Sequence, residues 1–341
     1  MRKAKKELAL ALQGGGSHGA ITWGVLDRLL EEENLTLNGF SGTSAGAMNA
    51  AVLAYGLHLG GRGKARQLLS VFWRKVADSA VASPVQPSAF DLLFGQGNMD
   101  YSPAYWFNEA VSSVWSPYQL NPLDINYLQG ILEEVIDDFE ALQADENIQL
   151  FVCATNVRKG CARIFRRSEI SSKAVMASAC LPTVYQAVTI DHEDYWDGGF
   201  IGNPPLNPLI QAGLKDILVV QVTPVHVQET PRTAAEIKDR ISELSFNASL
   251  MHELRGIDFV DRLLDAHVKL PGKYRNIHLH SINPEAEIQH LGKSSMVNVR
   301  WSFLRRLFHL GRQQADKWLS ENYEHIGKKS TFQLPDLFSE E

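Results

Sequence analysis

The chain has 341 residues, of which 45% are hydrophobic and 21% are charged, a composition ordinary for a globular protein with a sizeable core. Its 33 basic and 39 acidic residues leave a net charge of −6, which argues against a general nucleic-acid binder. Three cysteines, without a C-x-x-C spacing, indicate a reducing compartment rather than a disulfide framework: Cys153, Cys161 and Cys180. No apolar run approaches the roughly 18 residues that a membrane-spanning helix needs.

The N-terminus begins with basic residues, as a signal peptide does. Glu7 interrupts this start, and the apolar stretch Leu8–Leu12 is shorter than the roughly 7–15 residues of a signal-peptide core. Cleavage here would also remove the first predicted strand. We therefore expect a mature N-terminus and a cytoplasmic protein.

The first predicted elements are a buried strand over residues 7–13, a glycine-rich loop over residues 14–19 and a helix from about 17 to 33. Gly14, Gly16 and Gly19 fit the dinucleotide-binding pattern G-x-G-x-x-G. That pattern also requires an acidic residue after the second strand, and none is present there, since Glu31–Glu33 come too early. Successive amides in such a loop can instead bind an anion, which favours an oxyanion hole.

A short second strand, around residues 37–41, leads into Gly42-Thr43-Ser44-Ala45-Gly46. This spacing fits the nucleophile elbow G-x-S-x-G, in which a strained turn between strand and helix exposes the serine hydroxyl. The small residues that follow favour a helix, whose N-terminal amides stabilise developing negative charge. The pattern predicts Ser44 as a nucleophile.

The middle of the chain alternates helices and strands. Helices are predicted over 62–77, 126–142 and 171–179, and strands over 148–155 and 161–166. The segment of about 83–122 is rich in proline, glycine and aromatic residues. It is either a large loop with its own packing or a cap that offers an apolar surface to acyl chains or a membrane. A basic cluster follows, either as solvated surface or as a contact for anionic head groups: Arg158, Lys159, Arg163, Arg166 and Arg167.

The C-terminal part is predicted to contain a buried strand over 217–223, a long helix over 241–270, a last strand over 276–282 and an amphipathic helix over 294–322. The last helix mixes aromatic and basic residues, which is typical of packing across the domain and also of membrane contact. We expect a core over 7–210, its continuation in the same domain over 211–325, and a loose tail over 326–341.

A serine hydroxyl needs a base to activate it, usually a histidine held by a carboxylate. The chain has 11 histidines, but none stands in a favourable setting; His18 lies in the glycine loop and is predicted to line the pocket. Asp197 is followed by Gly198 and Gly199, so it lies on a turn with free backbone. Burial beside apolar residues raises an aspartate pKa toward the working range of a base, although an Asp-Gly turn alone is also common between strands.

Together, the three stretches resemble the patatin-like phospholipase family, with a glycine-rich oxyanion loop, a G-x-S-x-G elbow and a D-G-[GA] motif, in this order. The resemblance implies a three-layer α/β/α fold with a mostly parallel central sheet and lipid acyl hydrolysis without a metal or other cofactor. It also implies Ser44 as nucleophile, Asp197 as base, and an oxyanion hole from the amides of Gly14, Gly15, Gly16 and Ala45. Further family-like sequence lies at 177–182, 203–205 and 246–250.

Three functional hypotheses remain open at this stage. The first is a lipid acyl hydrolase with peripheral membrane contact; the second is an esterase or thioesterase for small soluble substrates. The third is a non-catalytic scaffold or nucleotide-binding module, which the intact motifs and the missing ribose-binding carboxylate disfavour. The head group, the acyl chain and the oligomeric state are not encoded in any of these motifs.

Overall fold

The computed structural model describes residues 4–79, 83, 85–227, 229–268, 271 and 275–332. Eight strands form one sheet: β1 (Lys6–Leu12), β2 (Leu35–Gly42), β3 (Gln149–Asn156), β4 (Cys161–Arg166), β5 (Val188–Ile190), β6 (Glu193–Asp197), β7 (Asp216–Val220) and β8 (His278–Ile282). Their order is β5-β6-β3-β2-β1-β7-β8, and β4 pairs with β3. The run β3-β2-β1-β7-β8 is parallel, and the pairs with β4, β5 and β6 are antiparallel.

Twelve α-helices lie within the described residues: α1 (Gly19–Leu29), α2 (Ala45–Ser79), α3 (Ala89–Phe94), α4 (Pro103–Val114), α5 (Pro117–Leu120), α6 (Tyr127–Val135), α7 (Phe139–Ala144), α8 (Ser172–Ser178), α9 (Asn207–Gln211), α10 (Ala234–Asp265), α11 (Glu285–Ile288) and α12 (Trp301–Asn322). α2 is kinked where Gly60 and Gly61 leave helical geometry. Among the described residues, no helix is long and apolar enough to cross a lipid bilayer.

The alternation of side chains along β1 divides the core in two. Leu8, Leu10 and Leu12 pack in one cluster with residues of α1, α2 and α12, whereas Ala9 and Ala11 pack in a second cluster with residues of α9 and α10. Successive side chains of a strand point to opposite faces, so these helices cover the two faces of the sheet. The predicted three-layer α/β/α class with a mostly parallel sheet is confirmed.

β3 divides one of its edges between two neighbours. β2 pairs with residues 149–152, and β6 pairs with residues 154–156. β4 runs along the whole opposite edge from 151 to 156. β6 therefore occupies the space where β2 turns away, which brings the end of β6 beside the end of β2.

The helix predicted over 126–142 is divided into α6 and α7. Ile136 is buried at the end of α6, and the Asp138 carboxylate accepts a hydrogen bond from the amide of Ala141 to begin α7. Between the two helices, the exposed Asp137 accepts a hydrogen bond from the Tyr55 hydroxyl. Tertiary contact and capping thus interrupt a continuous helical pattern.

The C-terminal helix begins later than predicted, at Trp301, because residues 293–297 form a 3-10 turn instead. Its aromatic residues Phe303 and Phe308 are buried, and Arg312 forms ion pairs with Asp27 and Glu31. These contacts support the packing interpretation of this helix over membrane contact.

The segment predicted as a tail is partly held by the sheet. Ile326 is fully buried, and the amides of Thr331 and Phe332 donate to the carbonyl of Leu279 in β8. Residues 333–341 of this predicted tail lie outside the described residues, as do residues 269–270 of the predicted long helix and residue 84 of the predicted cap. The described part of the cap contains α3, α4 and α5.

The crossing of α1 and α12 leaves no room for a β-carbon at Gly311. Such an atom would lie 2.0 Å from the carbonyl oxygen of Ile21, whereas one at Gly256 in α10 would meet nothing within 4 Å. We expect Gly311→Ala to lower the free energy of unfolding by at least about 2 kcal/mol, because the helices must separate. Gly256→Ala, the matched control, should raise it by roughly 0.5–1 kcal/mol. Chemical denaturation measures both, and equal values for the two variants would contradict this packing.

Candidate active site

The turn between β2 and α2 places Ser44 at the start of a helix with a left-handed backbone, at φ 54°. A β-carbon at Gly42 would lie 2.6 Å from the carbonyl oxygen of Gly46, and one at Gly46 would lie 2.1 Å from that of Leu12. Only glycine fits at both positions. The geometry is that of a nucleophile elbow, strained at the serine and tightly packed on either side.

Asp197 ends β6 and is 1% exposed. Its Oδ1 accepts a hydrogen bond of 2.7 Å from the amide of Gly199, whereas Oδ2 is buried without a hydrogen-bond partner among the described residues. Burial raises the pKa of this carboxyl to about 6, against the opposing effects of the Gly199 amide and the nearby Ser44 hydroxyl. A carboxylate with this pKa can accept a proton near neutral pH.

The other glycines of the predicted motifs lie in close contacts around these two residues. A β-carbon at Gly198 would lie 2.2 Å from the carbonyl oxygen of Cys153, and one at Gly199 would lie 2.0 Å from the ring of Phe246. Gly19 packs against Ala45, at the first turn of α2. The three motifs therefore meet at one place in the structure.

The glycine loop follows β1 and passes beside the elbow. The Gly14 amide, predicted to face the oxyanion, donates instead to Asn203 Oδ1 at 2.7 Å. Gly16 has φ 56°, and a β-carbon there would lie 2.4 Å from the carbonyl oxygen of Met296. In the described part of the chain, the amides of Gly15, Gly16 and Ala45 have no hydrogen-bond partner. Unlike the Gly14 amide, these three amides are unpaired within the described residues, and Gly16 and Ala45 also line the cavity beside Ser44.

Asn203 is a buried polar residue beside the glycine loop, and the sequence predicted no role for it. It is 1% exposed, its amide donates to the Ser249 hydroxyl at 3.2 Å, and its Nδ2 is buried without a partner among the described residues. Residues 203–205 and 246–250 were noted only as family-like sequence. The sequence signal at this position is an asparagine followed by two prolines, and its burial with a hydrogen-bonded side chain appears only in the structure.

Gln13 and Ser178 also support the site and were not predicted. Gln13 Oε1 accepts hydrogen bonds from the amides of Val222 and Thr223, and its Nε2 donates to Asn247. Ser178 Oγ accepts a hydrogen bond of 2.9 Å from the amide of Ser44. These partners lie more than a hundred residues away in sequence, so local patterns carry no indication of them.

His18 is fully buried beneath the glycine loop. Its Nε2 lies 2.8 Å from Ser295 Oγ, and its Nδ1 lies 3.2 Å from the carbonyl oxygen of Val222. Burial lowers the pKa of His18 to about 4, so the ring is neutral at physiological pH. Its contacts fix the loop to the body of the protein, and it is absent from the cavity wall that sequence analysis expected it to line.

A cavity of about 500 Å³ opens beside Ser44. Gly16, Ser17, Ser44 and Ala45 form its polar end. The rest of its wall is mainly apolar, and includes Met48, Phe72, Val76, Leu128, Leu181 and Met296. A site of this size and lining suits a mostly hydrocarbon ligand with one reactive polar group.

The described residues around Ser44 can be compared with what a metal site or a nucleotide site requires. Among the described residues, no group of three or more histidine, cysteine, aspartate or glutamate side chains is placed to hold a metal ion. The end of β2 leads into Ser44 and not to a carboxylate that could hold a ribose. The glycine loop therefore borders a serine site rather than a dinucleotide site.

Comparisons with known proteins agree with the motifs. A family model described as patatin-like phospholipase matches residues 10–210. Over 335 residues the chain is 23% identical to the uncharacterized protein YjjU of Escherichia coli K12, covering 96% of this chain and 80% of that protein. Among solved structures, it is similar to VipD from Legionella pneumophila, at 16% identity and a TM-score of 0.41, covering 94% of this chain and 67% of that one. It also matches the ExoU–SpcU complex of Pseudomonas aeruginosa, at 15% identity and a TM-score of 0.27, covering 98% of this chain and 74% of that one.

The family model covers more than half of the chain, including the glycine loop, the elbow and the Asp-Gly-Gly turn. The general class that follows from it is that of a lipid acyl hydrolase. With these three motifs gathered around Ser44, at the polar end of one apolar cavity, the chain belongs to the patatin-like phospholipase family.

Proposed function

We propose that this protein hydrolyses acyl esters of lipids, as a phospholipase or lysophospholipase, through a dyad of Ser44 and Asp197. The observation that carries the proposal is the position of Ser44 on a strained elbow, between a buried carboxyl of raised pKa and an apolar cavity of about 500 Å³. A serine needs a base to become a good nucleophile, and among the described residues no histidine lies in the wall of this cavity. The apolar lining favours a lipid over a small soluble ester.

In the proposed first step, Ser44 Oγ attacks the ester carbonyl and transfers its proton to Asp197. The oxygen of the tetrahedral intermediate accepts hydrogen bonds from the amides of Gly15, Gly16 and Ala45 and is stabilised by the N-terminus of α2. The intermediate collapses to an acyl-enzyme, and the leaving alcohol takes the proton from Asp197. Asp197 then removes a proton from water, which attacks the acyl-enzyme; the second tetrahedral intermediate collapses, Ser44 Oγ leaves with the proton from Asp197, and the fatty acid is released.

Asn203 is proposed as a positioning residue for this chemistry. By accepting the hydrogen bond from Gly14, it fixes the start of the loop whose next two amides face the oxyanion. The site in the proposed core, residues 7–210, is thus held in place by residues of the continuation, 211–325. Ser249 accepts a hydrogen bond from the backbone of Asn203, and Met296 contacts Gly16. This dependence, together with the shared sheet, supports a single domain.

We also propose a cytoplasmic location with peripheral contact to membrane lipid. All three cysteines are free thiols, and two of them are buried. This usage suits a reducing compartment.

The first prediction concerns the nucleophile. Ser44→Ala should abolish both hydrolysis of phospholipid and covalent labelling by a fluorophosphonate probe, since the probe reacts with activated serines. The matched control is Ser320→Ala, an exposed position on α12, which should react as the wild type does. Failure of the folded wild type to take the label would favour the non-catalytic alternative. Equal turnover of monomeric short-chain esters and micellar lipid would favour the small-ester alternative.

The second prediction concerns Asp197. Because the base must be ionised, activity should rise with pH through the folded pKa of about 6. The same raised pKa means that ionised Asp197 destabilises the fold, an effect that develops between the ordinary pKa of 3.8 and about 6 and persists above it. Asp197→Asn should therefore abolish activity yet raise the free energy of unfolding at pH 8, by up to about 3 kcal/mol.

Hydrolysis assays and denaturation at pH 4 and pH 8 check this second prediction, with the exposed Asp191→Asn as control. The stability difference between Asp197→Asn and wild type should shrink toward pH 4. A variant that retains wild-type turnover, or a difference independent of pH, would contradict the assignment.

The third prediction concerns Asn203. Asn203→Ala leaves the buried Gly14 amide without its acceptor, so the loop loses its fixed position. We expect kcat to fall about ten- to hundred-fold with little change in KM, because the oxyanion contacts form in the transition state. Asn207→Ala, at an exposed position four residues later, is the matched control. A rise in KM with unchanged kcat would argue for a role in substrate binding instead.

A further inference from the structure

The predicted cap covers 83–122, but the exposed apolar side chains extend from Phe90 to Tyr127. This second segment, called the cap from here on, exposes an unusual amount of apolar surface. Fourteen of its large hydrophobic side chains are exposed, among them Leu93 at 75%, Phe107 at 72% and Leu123 at 80%. Single exposed hydrophobic residues are normal, but a concentration of this kind marks an interaction surface. The cap also exposes Trp106, Trp115 and Tyr118, of residue types that favour the boundary between water and lipid.

One part of the cap borders the active-site cavity through residues 293–299. The Asn298 side chain donates to the carbonyl of Gly97 at 2.8 Å, and the amide of Met99 donates to Ser294 Oγ at 3.0 Å. Met296, Val297 and Val299, on the same segment, line the cavity. The junction between α3 and α4 is therefore held against one wall.

A second part of the cap borders the cavity through residues 181–187. The amide of Ala187 donates to the Tyr118 hydroxyl at 3.2 Å, and Gln186 donates to the carbonyl of Asn121 at 2.8 Å. Leu181, Val184 and Tyr185 line the cavity, as does Tyr127 of the cap itself. Tyr127 is 74% exposed, and Val184 and Val297 are each 47% exposed, so these side chains belong to both the cavity and the outer surface.

The charge of the cap restricts what can cover it. No lysine or arginine occurs between Lys75 and Arg158. The cap has four carboxylates, and three of them are engaged within the protein. Asp91 is buried in a capping box, Asp100 accepts from Ser294, and Glu109 pairs with two lysines outside the cap. The cap itself therefore offers apolar burial to a partner and no cationic side chain to attract anionic head groups.

We propose that the cap docks onto an electrically neutral, zwitterionic phospholipid surface, with the mouth of the cavity facing the lipid. This inference rests on the proposed function, because the lipid surface would supply the substrate of Ser44. A protein partner on the same face would cover Tyr127, Val184 and Val297 and close the entrance to the cavity. A lipid surface covers the same side chains and delivers substrate through them.

The test uses the full chain and a double substitution, Leu93→Ser with Phe107→Ser. Neither residue lines the cavity and both are more than 70% exposed, so folding should be unaffected. The wild type should co-sediment with phosphatidylcholine vesicles, and added phosphatidylglycerol or salt should not strengthen binding. The double variant should bind at least tenfold more weakly, since each substitution removes a large apolar side chain from the contact. Its hydrolysis of a monomeric short-chain ester should match that of the wild type.

The matched control is Leu59→Ser with Phe259→Ser, the same residue types exposed outside the cap. It should bind vesicles as the wild type does. Binding is also measured with Ser44→Ala, which should dock as the wild type does without hydrolysing the vesicles. A wild type that docks but does not hydrolyse would contradict the proposed reaction and not the docking surface. Binding that requires phosphatidylglycerol, or that survives the cap substitutions, would overturn the inference. So would self-association through Leu93 and Phe107 in a protein that ignores vesicles.

Discussion

The burial of Asp197 is the constraint on which the rest of the site depends. A carboxyl in this position loses its hydration, and one hydrogen bond, from Gly199, replaces part of it. The difference between a pKa of about 6 and the ordinary 3.8 corresponds to roughly 3 kcal/mol that the remaining fold must supply. β6 can hold the carboxyl there because it takes over the edge of β3 where β2 leaves it. The sheet thus provides the rigidity that a destabilised base requires.

The glycine loop is held by residues from two distant parts of the chain, Asn203 and the segment 295–296. Asn203 bonds to Gly14, Ser295 lies beside His18, and the carbonyl of Met296 packs against Gly16. Each contact fixes a backbone segment whose amides are proposed to act in the transition state, when misplacement is most costly. The segment 293–299 also contacts the cap, so the surface proposed for lipid and the oxyanion loop share one structural support.

Local sequence predicted the features that depend on local physics. The elbow, the Asp-Gly-Gly turn and the buried strands follow from glycine spacing and apolar runs, and the predicted fold class is confirmed. The division of α6 from α7 was missed because it depends on capping by Asp138 and on the buried end at Ile136. The partner of the Gly14 amide was missed because Asn203 lies far away in sequence. The catalytic roles of Ser44 and Asp197 stay predictions until they are measured.

The sequence left three surfaces open for lipid contact, and their charges separate them. In the basic cluster, Arg158, Lys159 and Arg163 pair with acidic residues of the same sheet region, which reduces their attraction for anionic head groups. In the C-terminal helix the aromatic rings face inward, and Arg312 is occupied by two carboxylates. The cap differs from both, because its apolar side chains are exposed and most of its carboxylates are hydrogen-bonded or paired within the protein. An exposed apolar patch is tolerated in water only while it is small, and burying it against hydrocarbon is favourable in free energy. Some of these exposed residues form the cavity entrance. Docking of the cap on lipid would therefore also connect the lipid with Ser44 through a route that excludes water.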